Sequence, residues 1–383
     1  MDSTTLRAAA RRFPLVGWAR LACPPLRDRV AEIVGIAEAA ERHGADRLHE
    51  GAHALNKAAL VASDCGLPEL AKDLCWQHIN IYREAGHPLT ARQARYMLEP
   101  VHNLARLQIR ADAGKHAMRL LDAMYRAIMQ CTELAVEGRT LPLAGLTGPQ
   151  EERHKLREWA WRQYVADGIR TLTLAGRWDE AVTHAKANRG VGDHLMEGRQ
   201  AVIVANCLRG ATQAAQDVLE ESTITQPWEQ QVAACLTVLC RLAGDRPSHQ
   251  ETDVMIERYL ASRPAPPGHA VFQARLGLAV VELVSRTAPA KSGPAYTRLI
   301  GDALAAADGY VARELLAHSG CAAMLIRAEK TALTTAVQAA GLGLGAIPGP
   351  LMADLLTAVR IAETAIERAL SPSTSATAGR RSP

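Results

Sequence analysis

The sequence contains few aromatic residues. They make up 4% of the 383 residues, and phenylalanine occurs only at Phe13 and Phe272. β-Strands rely on β-branched and aromatic side chains, whereas alanine, leucine and arginine, which are abundant here, favour helices. The shortage of strand formers therefore argues against a sheet-rich protein and predicts an all-α fold.

Long apolar runs are also missing. No run of about 18 or more apolar residues occurs, so no transmembrane helix is expected. The basic N-terminal segment, residues 1–25, lacks the continuous apolar stretch of a secretory signal. Together these absences predict a cytoplasmic protein without membrane contact.

Neither charge blocks nor paired cysteines are present. The formal charge of +4 is spread along the chain, so the footprint of a dedicated nucleic-acid binder is missing. The eight cysteines include no CxxC spacing and stand mostly at apolar positions, which predicts buried, reduced thiols. The preference for arginine over lysine, with abundant alanine and glycine, resembles the composition of proteins from high-GC bacteria.

The chain does contain an internal repeat. In four segments a helix is predicted to end at a glycine or a polar residue, and an alanine stands five positions later in the next helix. The turn residues are Gly66, Asp112, Gly176 and Gly210, and the alanines are Ala71, Ala117, Ala181 and Ala215. A fifth copy has Gly244 in register and His249 at the alanine position. Small residues there let two antiparallel helices approach closely, and glycine supplies the positive φ of a tight helix exit.

The last three turn glycines lie 34 residues apart, which is the period of the tetratricopeptide repeat. The most typical passage is "LAGRWDEAVTHA", residues 174–185, with the aromatic Trp178 after the turn glycine. Over residues 45–262 the chain resembles this family. The resemblance implies a TPR-like α-solenoid, which is a right-handed superhelix of antiparallel helix hairpins. Irregular spacing before residue 176 indicates that two units carry insertions.

The pattern also predicts how the chain is divided. The repeat array covers residues 26–262, begins with a helix at 26–43 and contains a surface loop at 136–152, which is rich in glycine and proline. A C-terminal helical segment covers residues 269–370, and either continues the superhelix or folds back. Its predicted helices are 270–286, 294–307, 309–325, 328–341 and 351–370. Residues 371–383 are predicted to be disordered.

The resemblance also implies a ligand groove. In such repeats the first helix of each hairpin lines the concave face, which places the following residues there: His53, Asn56, Lys57, Glu99, His102, Asn103, Arg106, Arg110, Gln163, Asp167, Arg170, Glu197 and Gln200. An unpaired buried polar group costs about 1–3 kcal/mol, so this face is either solvated and internally paired or binds a ligand. Arginine and amide side chains suit peptide main chain, carboxylates and phosphates.

The leading hypothesis is a non-enzymatic binding protein that needs no cofactor. Its concave groove holds a protein or peptide partner, or a small anionic ligand, in a regulatory or biosynthetic-accessory role. A scaffold without a specific ligand is a further reading of the same repeats.

One motif supports a different class of function. His49-Glu50-Gly51-Ala52-His53 matches HExxH, in which two histidines one helical turn apart bind a divalent metal ion and the glutamate acts as a base. The alternative is therefore a metal-dependent enzyme with His49 and His53 as ligands and Glu50 as the catalytic residue.

Three features of the sequence count against a zinc hydrolase. Charged Asp46 and Arg47 precede the motif, no edge strand is predicted upstream, and no second motif supplies a third ligand. Glu99, His102 and His78 remain candidates for that third ligand. In the repeat register, the two histidines of the motif are instead ligand contacts or surface groups.

Overall fold

The computed structural model of the protein describes residues 3–42, 46–244, 249–262 and 266–371. About 74% of the chain is helical, and within the described ranges the strands form one two-stranded hairpin. The all-α prediction is therefore confirmed. Of the predicted disordered tail, residues 372–383 lie outside the described residues.

The described helices follow one another in chain order. The first nine are α1 (Ser3–Ala10), α2 (Leu26–Arg42), α3 (Arg47–Asp64), α4 (Pro68–Arg83), α5 (Ala91–Arg110), α6 (Gly114–Gln130), α7 (Gln150–Leu174), α8 (Trp178–Ala187) and α9 (Glu197–Leu208). The others are α10 (Thr212–Glu220), α11 (Pro227–Ala243), α12 (His249–Leu260), α13 (Ala270–Thr287), α14 (Ser292–Ala306), α15 (Gly309–Ala317), α16 (Ser319–Met324), α17 (Arg327–Ala339) and α18 (Gly349–Leu370), with a short 3-10 turn at Pro289–Lys291. None of the helices in the described part of the chain is long and apolar enough to cross a membrane.

The chain divides into two compact units. Unit 1 consists of Met1–Pro25 and Arg162–Leu342, and unit 2 consists of Leu26–Trp161 and Gly343–Pro383. Each unit is thus assembled from two separate stretches of chain. The boundary that the sequence predicts between residues 262 and 269 includes residues outside the described ranges.

The predicted turn residues end their helices in the same way. Gly66, Asp112, Gly176 and Gly210 all have a positive φ, between 58° and 80°. After each of them, the next backbone N–H donates to the carbonyl five residues earlier, as from Leu67 to Ala62, which is the bond of a Schellman helix end. The four alanines at the predicted positions are buried, which brings each pair of helices close together. The repeated helix pair is therefore present.

The fifth copy differs from the others. Gly244 ends α11 with a φ of −83°, so this glycine does not take the left-handed conformation that the repeat predicts. His249, which replaces the alanine, begins α12 and is exposed. The resemblance to tetratricopeptide repeats as a family stays a prediction.

The insertion and the C-terminal segment fold as local elements. The predicted loop at 136–152 contains part of a β-hairpin, in which β1 (Leu134–Val136) pairs antiparallel with β2 (Arg139–Leu141). The predicted helix at 309–325 is wrong as one element, because it is divided into α15 and α16. His318 separates them, and its Nδ1 accepts the Cys321 N–H at 2.9 Å to cap α16.

The helices of the C-terminal segment are divided between the two units. Helix α18 packs against α2 and α3 in unit 2, whereas α13 packs against α11 and α12 in unit 1. Before α18, the Gly343 N–H donates to the Asp64 carbonyl at 2.8 Å.

All eight cysteines are free thiols. The prediction that they are buried is wrong for Cys131, which is exposed.

Candidate functional site

In unit 2, several of the predicted groove residues pair with one another. Lys57 of α3 forms an ion pair with Glu32 of α2, and only 10% of the Lys57 side chain is exposed. Asn103 of α5 donates a hydrogen bond to Asn56 of α3. These contacts link three neighbouring helices, and they use polar groups that the sequence suggested for a ligand.

A second group of charges joins the same helices further along. Asp64 at the end of α3 is buried and accepts Arg29 of α2 at 2.6 Å. Arg110 of α5 reaches the same carboxylate at 3.2 Å and also donates to Ser63. Because a buried carboxylate needs such partners, Arg110 has a structural role here.

Two further predicted groove residues on α5, Glu99 and His102, lie near the side chain of Trp159. Glu99 pairs with Arg95 at 3.0 Å, and burial raises the pKa of Glu99 although Arg95 opposes that shift. The Arg95 guanidinium lies 4.4 Å from the centre of the Trp159 ring, and His102 is buried with its ring edge-on to the same ring at 6.2 Å. Arg106 is exposed.

The HExxH motif lies at the first turns of α3. His49 is exposed, and its Nδ1 is 3.2 Å from the hydroxyl of Tyr96. The His49 and His53 rings are 6.0 Å apart, and Glu50 between them is half-buried. Burial, followed by the charge of Lys57, lowers the pKa of His53, which keeps its imidazole neutral.

The glycine of the motif has a packing role. A Cβ at Gly51 would lie 2.7 Å from the Cγ1 of Ile366 and 3.0 Å from the carbonyl of Ala362, both on α18. Within the described ranges, no three histidine, cysteine, aspartate or glutamate side chains are grouped so that they could hold a metal ion. The histidine pair is therefore brought together, and metal binding stays a prediction.

In unit 1 the structure gives Gln200 a specific partner. Gln200 of α9 is fully buried. Its Oε1 accepts the Leu15 N–H at 2.8 Å, and its Nε2 donates to the carbonyls of Leu15 and Leu195, each at 2.6 Å. The amide thus binds both polar groups of one residue in an extended segment of the same chain.

That segment belongs to a longer structure, which we call the arm: residues 3–23, comprising α1, a turn at residues 11–12 and residues 13–23, which form no helix or strand. Gly17 lies against Trp228 of α11, and the Arg20 N–H donates to the Gly268 carbonyl at 2.7 Å, just before α13. Beyond Arg20, the arm reaches the start of α15.

At α15 the arm makes two main-chain contacts. The Cys23 N–H donates to Asp308 Oδ2 at 2.8 Å, and the Gly309 N–H donates to the Cys23 carbonyl at 2.9 Å. Residues 15–23 of the arm therefore pass the N-terminal ends of α9, α11, α13 and α15, which are alternate helices in chain order. We call the surface formed by Gln200, Trp228, Gly268, Asp308 and Gly309 the arm-binding face.

Other predicted residues of unit 1 lie close to this contact. The Trp18 side chain donates to Glu197, and burial raises the pKa of that glutamate; the charges of Asp167 and Arg170 also act on it. Asp167 is buried, whereas Arg170 and Gln163 are half-buried. The sequence thus identified Gln200 and Glu197, but not the segment that they bind.

Arg12 of the arm enters a charged region formed by α13 and α15. Burial lowers the pKa of Arg12, and the charges of Glu282 and Glu314 oppose that shift. A hydrogen bond from His318 at 3.1 Å is the main cause that lowers the pKa of Glu282 to about 2. Glu314 is held by Arg275. Both glutamates were missed from the sequence, because neither lies in the repeat pattern.

Comparisons with protein-family models, with curated proteins and with solved structures found no match to this chain.

Proposed function

We propose that this protein is a helical-repeat binding protein whose arm-binding face takes an extended peptide segment of a protein partner, in a regulatory or biosynthetic-accessory role. The observation that carries the proposal is the bond pattern of Gln200, whose amide holds the N–H and the carbonyl of Leu15. A carboxamide has one acceptor and two donors. It therefore complements a peptide main chain in a way that does not depend on the side chain bound.

Burial makes this recognition energetically demanding. Gln200 is fully buried, and leaving its polar atoms unpaired would cost about 1–3 kcal/mol. A segment that replaces the arm and buries Gln200 again must therefore supply an N–H and a carbonyl in the same places. A small anion offers acceptors only, so the peptide is the better fit of the two ligand classes.

The proposal is tested on the full chain after the arm has been loosened. Leu15→Asp places a charge at a fully buried position, so we expect the arm to leave the face and become accessible to protease. A labelled synthetic peptide with the sequence of residues 9–22 should then bind saturably in fluorescence anisotropy. Adding Gln200→Ala should abolish this binding, whereas inorganic phosphate should not compete. A loosened arm without peptide binding would contradict the proposal.

A further inference from the structure

The arm covers the arm-binding face from α9 to α15 through main-chain hydrogen bonds and through the buried side chains of Phe13, Leu15 and Cys23. Leu15, Arg20 and Cys23 are each held through their main-chain atoms. Such contacts give affinity without reading a side chain. Besides these buried apolar positions, Gly17 and Arg12 also depend on the residue present.

Gly17 is required by close approach. A Cβ there would lie 2.5 Å from Cγ of Trp228, closer than any side chain is tolerated. The indole of Trp228 is itself packed edge-on against Phe272 at 6.0 Å, so a shift of the ring would disturb that contact. The face therefore accepts glycine, and excludes larger residues, at this point of a bound segment.

Arg12 is selected by charge. Its guanidinium lies in the field of Glu282 and Glu314, which come from two different helices of unit 1. Its Nε is buried and has no hydrogen-bond partner among the described residues. An alanine here would remove one positive charge near two carboxylates that have other partners as well, Arg275 at Glu314 and Arg286 and His318 at Glu282. Neighbouring Arg11 is exposed and makes a matched control.

We infer that the arm is a built-in competitor for the arm-binding face, and that the partner segment which displaces it carries an arginine five residues before a glycine. This inference rests on the proposed function. The spacing is that of Arg12 and Gly17. A partner segment with this pattern fits the Glu282–Glu314 region and the surface of Trp228 at once.

The tether sets the strength of the competition. The arm is covalently joined to the rest of the chain through Pro24 and Pro25, and a short tether gives an effective concentration in the millimolar range. For a free peptide that binds the uncovered face with a Kd near ~10 μM, competition with the arm should therefore raise the apparent Kd about 100-fold.

The first measurement compares peptide binding by two full-length proteins. The labelled peptide of residues 9–22 is titrated into the wild-type protein and into Leu15→Asp. We expect binding to the wild-type protein to be about 100-fold weaker. If Leu15→Asp does not fold, Gly17→Leu loosens the arm through the clash with Trp228 and replaces it. If the peptide binds both proteins with equal affinity while the wild-type arm is still protected from protease, the arm does not compete for the face and the inference is wrong.

The second measurement changes the peptide. In the loosened protein, peptides with Gly17→Ala or Arg12→Ala should bind at least about 10-fold more weakly, whereas Arg11→Ala should bind as the parent does. If Gly17→Ala binds equally well, or if Arg12→Ala and Arg11→Ala behave alike, the predicted pattern is wrong although the face still binds peptides. If no peptide binds to either loosened protein, the proposed function itself fails.

Discussion

At the scale of single residues, His78 is a buried titratable group in unit 2. It is fully buried, and neither ring nitrogen has a hydrogen-bond partner in the described part of the chain. Burial lowers its pKa to about 3. The folded state therefore keeps the imidazole neutral at a pH where the unfolded chain takes up a proton.

The sign of this effect leads to a pH prediction. Between the unfolded pKa near ~6.5 and the folded value, acidification stabilises only the unfolded state, by about 1.4 kcal/mol per pH unit. From pH 7 to pH 5 this group should therefore lower the free energy of unfolding by about 2 kcal/mol. His78→Leu should remove that part of the loss. Urea unfolding of the wild-type protein and of His78→Leu at both pH values measures this difference. The same pH dependence of the free energy of unfolding in both proteins would contradict the prediction.

His49 and His53 test the metal hypothesis at the same scale. The contact between His49 and Tyr96 and the lowered pKa of half-buried His53 are both explained by neighbouring groups of the chain. Under the proposed function, we expect the purified protein and the variants His49→Ala and His53→Ala to contain equal, substoichiometric transition metal. Elemental analysis decides between the two classes. Stoichiometric metal that is lost in both variants would favour the metal-dependent enzyme.

At the scale of elements, Gly51 controls how closely α18 approaches α3. A larger residue would overlap Ile366, and overpacking of this kind costs about 1–3 kcal/mol. Gly51→Leu should therefore lower the free energy of unfolding by that amount in urea. Gly35→Leu on α2 is the control, because that position faces open space. Leucine is a better helix former than glycine, so this variant should have a free energy of unfolding up to about 1 kcal/mol higher. Equal effects would show that the contact is unimportant.

The elements themselves were largely predictable from the sequence. The ends of four helices follow from local signals, since a glycine or an aspartate takes positive φ at Gly66, Asp112, Gly176 and Gly210. The division at His318 was not predictable, because its capping bond depends on how the side chain points. The arm was missed for another reason: an extended segment has no periodicity, and Leu15 is 185 positions from Gln200 in sequence.

At the scale of the whole molecule, each unit depends on a stretch of chain from elsewhere in the sequence. Unit 2 includes α18, which packs against α2 and α3. A chain that ends at Leu342 should therefore lose hydrogen-exchange protection in α2 and α3, while α11 and α13 of unit 1 keep theirs. Exchange measured by mass spectrometry distinguishes the two groups. Loss of protection throughout the chain would show that the units do not behave separately.

The arm also has a consequence for the order of events during synthesis. Leu15 and Cys23 are translated long before their partners in unit 1, which are Gln200 for Leu15 and Asp308 and Gly309 for Cys23. While the intervening residues leave the ribosome, the buried side chains of the arm have nothing of their own chain to cover them, and contacts of such long range form late. The residues of the arm are therefore among the last to reach their final place, and in that interval they are exposed to other proteins.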